Sequence, residues 1–228
     1  MKHLEDELMA IRNEVLDMWT LVYSQLDKAK RAMLENNKDL AFEVVSREKR
    51  VNAYELMIDS DCENYIALYS PVAIDLRLVL SLLKINGTLE RIGDFAEGIA
   101  RFAIDTYNPR YKSLIDDIRI TELFDAVLEM LKGSRLALEK EDTQDAGHLF
   151  SQDDYVDELY KQSLLKIADF IRENPDCALD CIYLAILDRK LERIGDHCNN
   201  IVEEIVFYID AKVMKHSGLK KVERMKIE

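Results

Sequence analysis

The chain has 228 residues, 48% of them hydrophobic and 33% charged, and a formal charge of −13. That length accommodates one large domain or two of roughly 100 residues, and the negative balance excludes a nucleic-acid partner, because such binding rests on Lys and Arg neutralising phosphates. With 7 Gly and 3 Pro, the chain has too few turn residues for an all-β fold, so long helices with few loops are predicted.

The N-terminal stretch MKHLEDELMAIRNEV is acidic and amphipathic rather than a basic flank before an apolar core. It predicts a cytoplasmic protein without a secretory signal. A first long helix is predicted over residues 4–34, where Leu8, Ile11, Val15, Met18, Val22, Leu26 and Met33 recur near helical spacing. Residues 35–39 break it, and a second helix follows from residue 40 through Val44, Val51, Ile58 and Tyr65 to Ser70-Pro71. The longest uncharged run, residues 64–74, falls short of the ~20 apolar residues of a spanning helix, so no membrane insertion is expected. A third helix is predicted over residues 72–106. Tyr107-Asn108-Pro109-Arg110 then marks a boundary, since proline disfavours a helical residue before it. Helices at residues 116–139, 143–173 and 176–211 complete the reading, the last two separated by Asn174-Pro175. The basic residues Lys215, Lys220, Lys221, Arg224 and Lys226, interrupted by Glu223, read as a solvated tail.

The two halves repeat each other. Leu89-Glu90-Arg91-Ile92-Gly93-Asp94 recurs letter for letter as Leu191-Glu192-Arg193-Ile194-Gly195-Asp196, a shift of 102. Pro71 matches Pro175 at a shift of 104, while Val51-Asn52 matches Val156-Asp157 and Trp19 matches Phe124 at 105. The period is too long for a solenoid, whose repeats run roughly 20–50 residues. An all-α fold of two tandem three-helix bundles is therefore expected, with residues 1–108 as the first repeat, 109–216 as the second and 217–228 as a C-terminal tail.

At 100° per residue, Glu90, Asp94, Glu97 and Arg101 share one helix face, opposite Leu89, Ile92, Ala96 and Ile99. In the second copy the same face carries Glu192, Asp196, Asn199, Asn200 and Glu203. Carboxylates at i and i+4 repel, and a bound cation reverses that sign. Gly93 and Gly195 cost ~1 kcal/mol each in a helix interior relative to Ala, which points to a close approach by a neighbouring helix. The neighbour predicted in each repeat is its second helix, bearing Glu48 and Asn52 in the first and Asp153 and Asp157 in the second. Two such helices would gather three or four oxygen ligands, a shell suited to hard or borderline cations. Asn52 in place of an acid, and Gly98 where the second copy has Asn200, predict weaker or different binding in the first repeat. Spacing alone also fits an ordinary solvated face neutralised by Arg91 and Arg193.

The remaining signals are structural. Cys62, Cys177, Cys181 and Cys198 show no C-x-x-C spacing and read as buried thiols, although Cys177 and Cys181 lie one helical turn apart. His148 and His197 read as surface or hydrogen-bonded residues rather than ligands. Trp19, Tyr23, Tyr54, Tyr65 and Tyr155 read as core and interface. The sequence has no nucleophile elbow, phosphate-binding glycine loop, H-E-x-x-H or Glu-x-x-His, so no enzymatic activity is expected. A metal-storage or carboxylate-bridged redox protein, and a metal-dependent phosphohydrolase, stand as competing readings of the acidic pairs.

Three further features carry a family resemblance: Ser70-Pro71-Val72-Ala73-Ile74-Asp75-Leu76-Arg77, the two Leu-Glu-Arg-Ile-Gly-Asp helices, and Asn200-Ile201-Val202-Glu203-Glu204 with the ending Lys212-Val213-Met214-Lys215-His216. In their order and duplication they span nearly the whole chain, which resembles the PhoU family, the phosphate-specific transport system accessory proteins. The resemblance implies a cytoplasmic negative regulator of phosphate-starvation signalling, an adaptor between a phosphate ABC transporter's ATPase subunit and a sensor histidine kinase. It also implies a homodimer, and divalent or trivalent metal ions (iron, zinc, manganese or magnesium) bound by acid-x-x-x-Asp motifs. Those motifs fall on Glu90 and Asp94, Glu192 and Asp196, and Asp153 and Asp157, with Glu48 and Asn52 a partial match.

Overall fold

The computed structural model describes residues 2–214 except 107, 109 and 111. The tail predicted over residues 217–228, the basic residues from Lys215 onward, and Tyr107 and Pro109 of the predicted boundary lie outside the described residues. Helix α1 spans Lys2–Leu34, α2 Lys38–Tyr69 and α3 Ala73–Asp105. A short α4, Lys112–Asp117, leads into α5, Ile120–Lys140, then α6, Ala146–Glu173, and α7, Ala178–Asp210. No strand occurs among the described residues.

The boundaries follow local chemistry. Asn37 caps α2, its side-chain oxygen accepting from the Leu40 backbone N–H at 3.0 Å and satisfying one of the open donors of the first turn. Ser70, in the left-handed region at φ 47°, ends α2 one residue before Pro71. The helix predicted to begin at residue 116 is instead divided in two. Arg119 adopts φ 58° between α4 and α5, and its guanidinium is tied to Glu122 at 2.7 and 2.6 Å. A single left-handed residue of this kind leaves no trace in the apolar periodicity.

Within each repeat the long helices pack side by side: α1, α2 and α3 in the first, and α5, α6 and α7 in the second. The repeats join through α3 against α7 and α1 against α5. Most of their buried apolar residues form one continuous core, running from Leu8 and Val15 on α1 through Ile92 and Ile99 on α3 to Ile194 and Ile201 on α7, with a smaller separate cluster around Leu149, Phe150, Val202 and Val206. Both α3 and α7 bury apolar residues on more than one side, which lets each serve its own repeat and its counterpart. Phe95 and His197 occupy matching positions of the two copies and lie ring to ring at 5.6 Å, so the duplication brings equivalent positions face to face. Polar ties secure the seam: Ser81 Oγ donates to the Glu204 carbonyl at 3.1 Å, Arg77 Nε to that of Tyr208 at 3.1 Å, and Trp19 Nε1 to that of Leu131 at 3.0 Å. Trp19 and its repeat partner Phe124 are both fully buried.

Candidate metal centre

The glycines do what the sequence requires of them. A Cβ on Gly93 would stand 3.2 Å from Val51 Cγ1, and one on Gly195 would stand 3.2 Å from Val156 Cγ1 and 3.1 Å from Asp153 Oδ1. Val51 and Val156 are matching residues, so α2 approaches α3 and α6 approaches α7 at the same point of each repeat. Leu89, Ile92, Ala96 and Ile99 are buried on α3, as are Ile194, Cys198, Ile201 and Ile205 on α7, which fixes the orientation of the acidic faces.

In the second repeat those faces bring Asp157, Glu192 and Asp196 within electrostatic reach of one another. Burial, and then the charge of Asp196, raises the pKa of Asp157. Glu192, only 8% exposed, is raised by burial and by Asp196 and Asp157, against the opposing pull of Arg189. Asp153 is completely buried and accepts from Asn199 Nδ2. Asn200 is exposed.

The first repeat assembles a different set. Burial, followed by Asp94 and Glu55, raises Glu90 to about 7. Burial, Asp59 and Asp94 raise Glu55 in turn. The predicted Glu48 accepts from Asn52 Nδ2 and lies within electrostatic reach of Arg101, which itself pairs with Glu97 at 2.7 Å. Glu55, three residues beyond Asn52 on the same face of α2, thus supplies the carboxylate that Asn52 lacks. Matching the repeats missed it, since its counterpart is Tyr160; the i, i+3 step from Asn52 was the available signal.

Sequence reasoning also passed over Asp188, fully buried one turn before Glu192. Burial raises its carboxyl to about 7, against a lowering contribution from the Ser163 hydroxyl. Its counterpart in the first copy is Asn86, whose Nδ2 donates to the Glu55 carbonyl and to Asp59 Oδ1, each at 2.8 Å. Other expectations hold in part. Cys62, Cys181 and Cys198 are buried, whereas Cys177 is only partly so. Tyr65 is buried, but Tyr155 is exposed, its hydroxyl donating to Glu122.

The donor set suits a hard cation in kind: half-buried and buried carboxylates within electrostatic reach of one another, with Glu192 Oε2 and the side-chain oxygens of Asn52 and Asn199 buried without a hydrogen-bond donor. Among the described residues, no three His, Cys, Asp or Glu side chains stand in ligating geometry. Internal donors hold other carboxylate oxygens of the same faces instead. Asn52 binds Glu48, Asn199 binds Asp153, and Arg189 Nη1 binds Glu192 Oε1 at 2.5 Å.

No helix among the described residues is long and apolar enough to cross a membrane. A PhoU domain model matches residues 15–103 and again 120–205. The chain is 32% identical over 212 residues to the phosphate-specific transport system accessory protein PhoU of Escherichia coli (strain K12), covering 93% of this chain and 87% of that one. It is 33% identical over 215 residues to the homologous accessory protein of Aquifex aeolicus, covering 94% and 96%. The crystal structure of PhoU from Pseudomonas aeruginosa superposes with a TM-score of 0.83 at 29% identity, over 91% of this chain and 99% of that one. These relatives carry the names of accessory proteins rather than of enzymes. Since both copies of the duplicated unit match the family domain, and members align over most of both chains, this chain belongs to the PhoU family.

Proposed function

We propose that this protein is a cytoplasmic, metal-binding negative regulator of phosphate uptake and phosphate-starvation signalling. It acts as an adaptor between the ATPase subunit of a phosphate ABC transporter and a sensor histidine kinase, and works as a homodimer. The observation that carries the phosphate-transport part is the match, over most of both chains, to proteins named phosphate-specific transport system accessory proteins. The acid clusters support the metal part. Asp157, Glu192 and Asp196 would hold an ion in the second repeat, and Glu55, Glu90 and Asp94 in the first. The ion would supply positive charge where burial, and then neighbouring carboxylates, otherwise oppose ionisation. The chain's own residues do the rest: Gly93 and Gly195 set the helix spacing, and Arg189 holds Glu192 in position. Metal so held would fix α2 against α3 and α6 against α7, and with them the surface offered to partners.

The test is a pull-down from the native organism with the full chain as bait, with and without chelator, read for the transporter ATPase and the kinase. Recovery of both, reduced by chelator, is the expected outcome. Recovery of neither contradicts the adaptor role, and recovery indifferent to chelator separates metal from signalling.

A further inference from the structure

Helix α7 carries an exposed apolar stripe that its own fold leaves uncovered. Leu179, Ile182, Tyr183 and Ile186 follow the i, i+3, i+4, i+7 spacing of a helix-packing seam, and are 62%, 50%, 39% and 49% exposed. The same stripe then changes character, continuing as Arg189, Lys190 and Arg193 at the next positions of the series. Ile182, Ile186 and the three cations line one side of a groove of about 420 Å³, walled on the other by Phe95 of α3 and by Tyr160 and Leu164 of α6.

Two of the three cations lie against the groove's own aromatics, and Arg189 also pairs with Glu192 at 2.5 Å. Arg189 lies 5.5 Å over the Tyr160 ring and Lys190 5.7 Å over the Phe95 ring. The Lys190 ammonium occupies the space a Cβ on Gly98 would fill, 2.7 Å from that position. Among the described residues no acidic one lines the groove, in a chain whose Asp and Glu outnumber Lys and Arg by 44 to 31. A local positive rim on a molecule of net charge −13 is complementary to an acidic segment.

We infer that this groove is a docking site for an acidic amphipathic helix of a partner protein. The helix lays its apolar face on Leu179, Ile182, Tyr183 and Ile186, and its carboxylates meet Arg189, Lys190 and Arg193. The inference shares Arg189 with the metal proposal, where it pairs with Glu192, but none of the groove's contacts requires an ion.

The experiment uses the full chain and a labelled synthetic peptide of roughly 18 residues, long enough to become helical on contact. Leucines stand at i, i+3, i+4 and i+7, followed by glutamates, and a control carries lysines in their place. Fluorescence anisotropy should show the glutamate peptide binding at least about tenfold more tightly than the lysine peptide. I186E should weaken glutamate-peptide binding about tenfold or more with helicity unchanged. The K190E/R193E variant should reverse the preference and bind the lysine peptide, a rescue that a misfolded variant could not show. The proposal is overturned if wild type does not distinguish the peptides, or if I186E binds as wild type does. It is equally overturned if light scattering shows that I186E dissociates a dimer, making the face a self-interface. Loss of sedimentation with phosphatidylglycerol vesicles in K190E/R193E, where wild type sediments, would assign the surface to a membrane instead.

Discussion

The two repeats share a packing scheme but divide their charge differently. Gly93 over Val51 and Gly195 over Val156 place the helices alike, yet the second cluster is built deeper. Glu192 is buried where Glu90 is half-buried, and Asp196 is half-buried where Asp94 is exposed. Two exchanges of Asn for Asp account for much of the contrast: Asn52 against Asp157, and Asn86 against Asp188. In the first repeat Asn86 neutralises by donating hydrogen bonds, and Glu55 and Asp59 bring carboxylates in from α2. In the second, Asp188, Glu192 and Asp196 form an acid ladder on α7 itself. A duplicated scaffold thus fixes apolar contacts tightly, because packing tolerates little volume change, and leaves polar identity free to drift.

The largest effects should come from the shared core. Trp19→Ala is expected to cost about 4–5 kcal/mol and Phe124→Ala about 3–4 kcal/mol. The asymmetry arises because only Trp19 reaches across the seam to the Leu131 carbonyl. Denaturant midpoints of the two variants check it, and equal losses would remove that tie from the account.

Next is the acid ladder. The unfolded chain releases the Asp188 proton near 3.8, while the folded chain retains it to about 7. Stability therefore falls as pH rises through that window. Asp188→Asn, which gives the second repeat the residue of the first, should stabilise the protein by about 2–3 kcal/mol more at pH 8 than at pH 5. Urea unfolding at both pH values reads the difference, and a pH-independent effect would contradict the buried carboxyl.

The smallest effect separates the glycines. Alanine adds ~1 kcal/mol of helix propensity at either site. Gly93→Ala meets one tight contact, with Val51, and should be near neutral. Gly195→Ala presses on both Val156 and the Asp153 carboxylate and should cost about 1 kcal/mol. Thermal melts of the pair would show a difference of that order.

Much of this was legible in the sequence. The letter-for-letter hexapeptide revealed the duplication, the apolar spacing on α1 predicted residues that are all buried, and the mid-helix glycines predicted the close approaches. What stayed hidden depends on tertiary placement. Glu55 is invisible to a search at the repeat shift because Tyr160 takes its place. Asp188 reads as an ordinary helix acid until the surrounding helices bury it. The break at Arg119 lies in its left-handed backbone, φ 58°, and the continuous core depends on α3 packing against α7, neither of which periodicity encodes.

Metal content by elemental analysis tests the central claim most directly, on wild type and on two variants purified under one metal supply. If each repeat binds through its own acids, Glu55→Gln/Asp94→Asn loses the first repeat's share, and Asp157→Asn/Asp196→Asn loses the second's. Unchanged stoichiometry in both variants would contradict it.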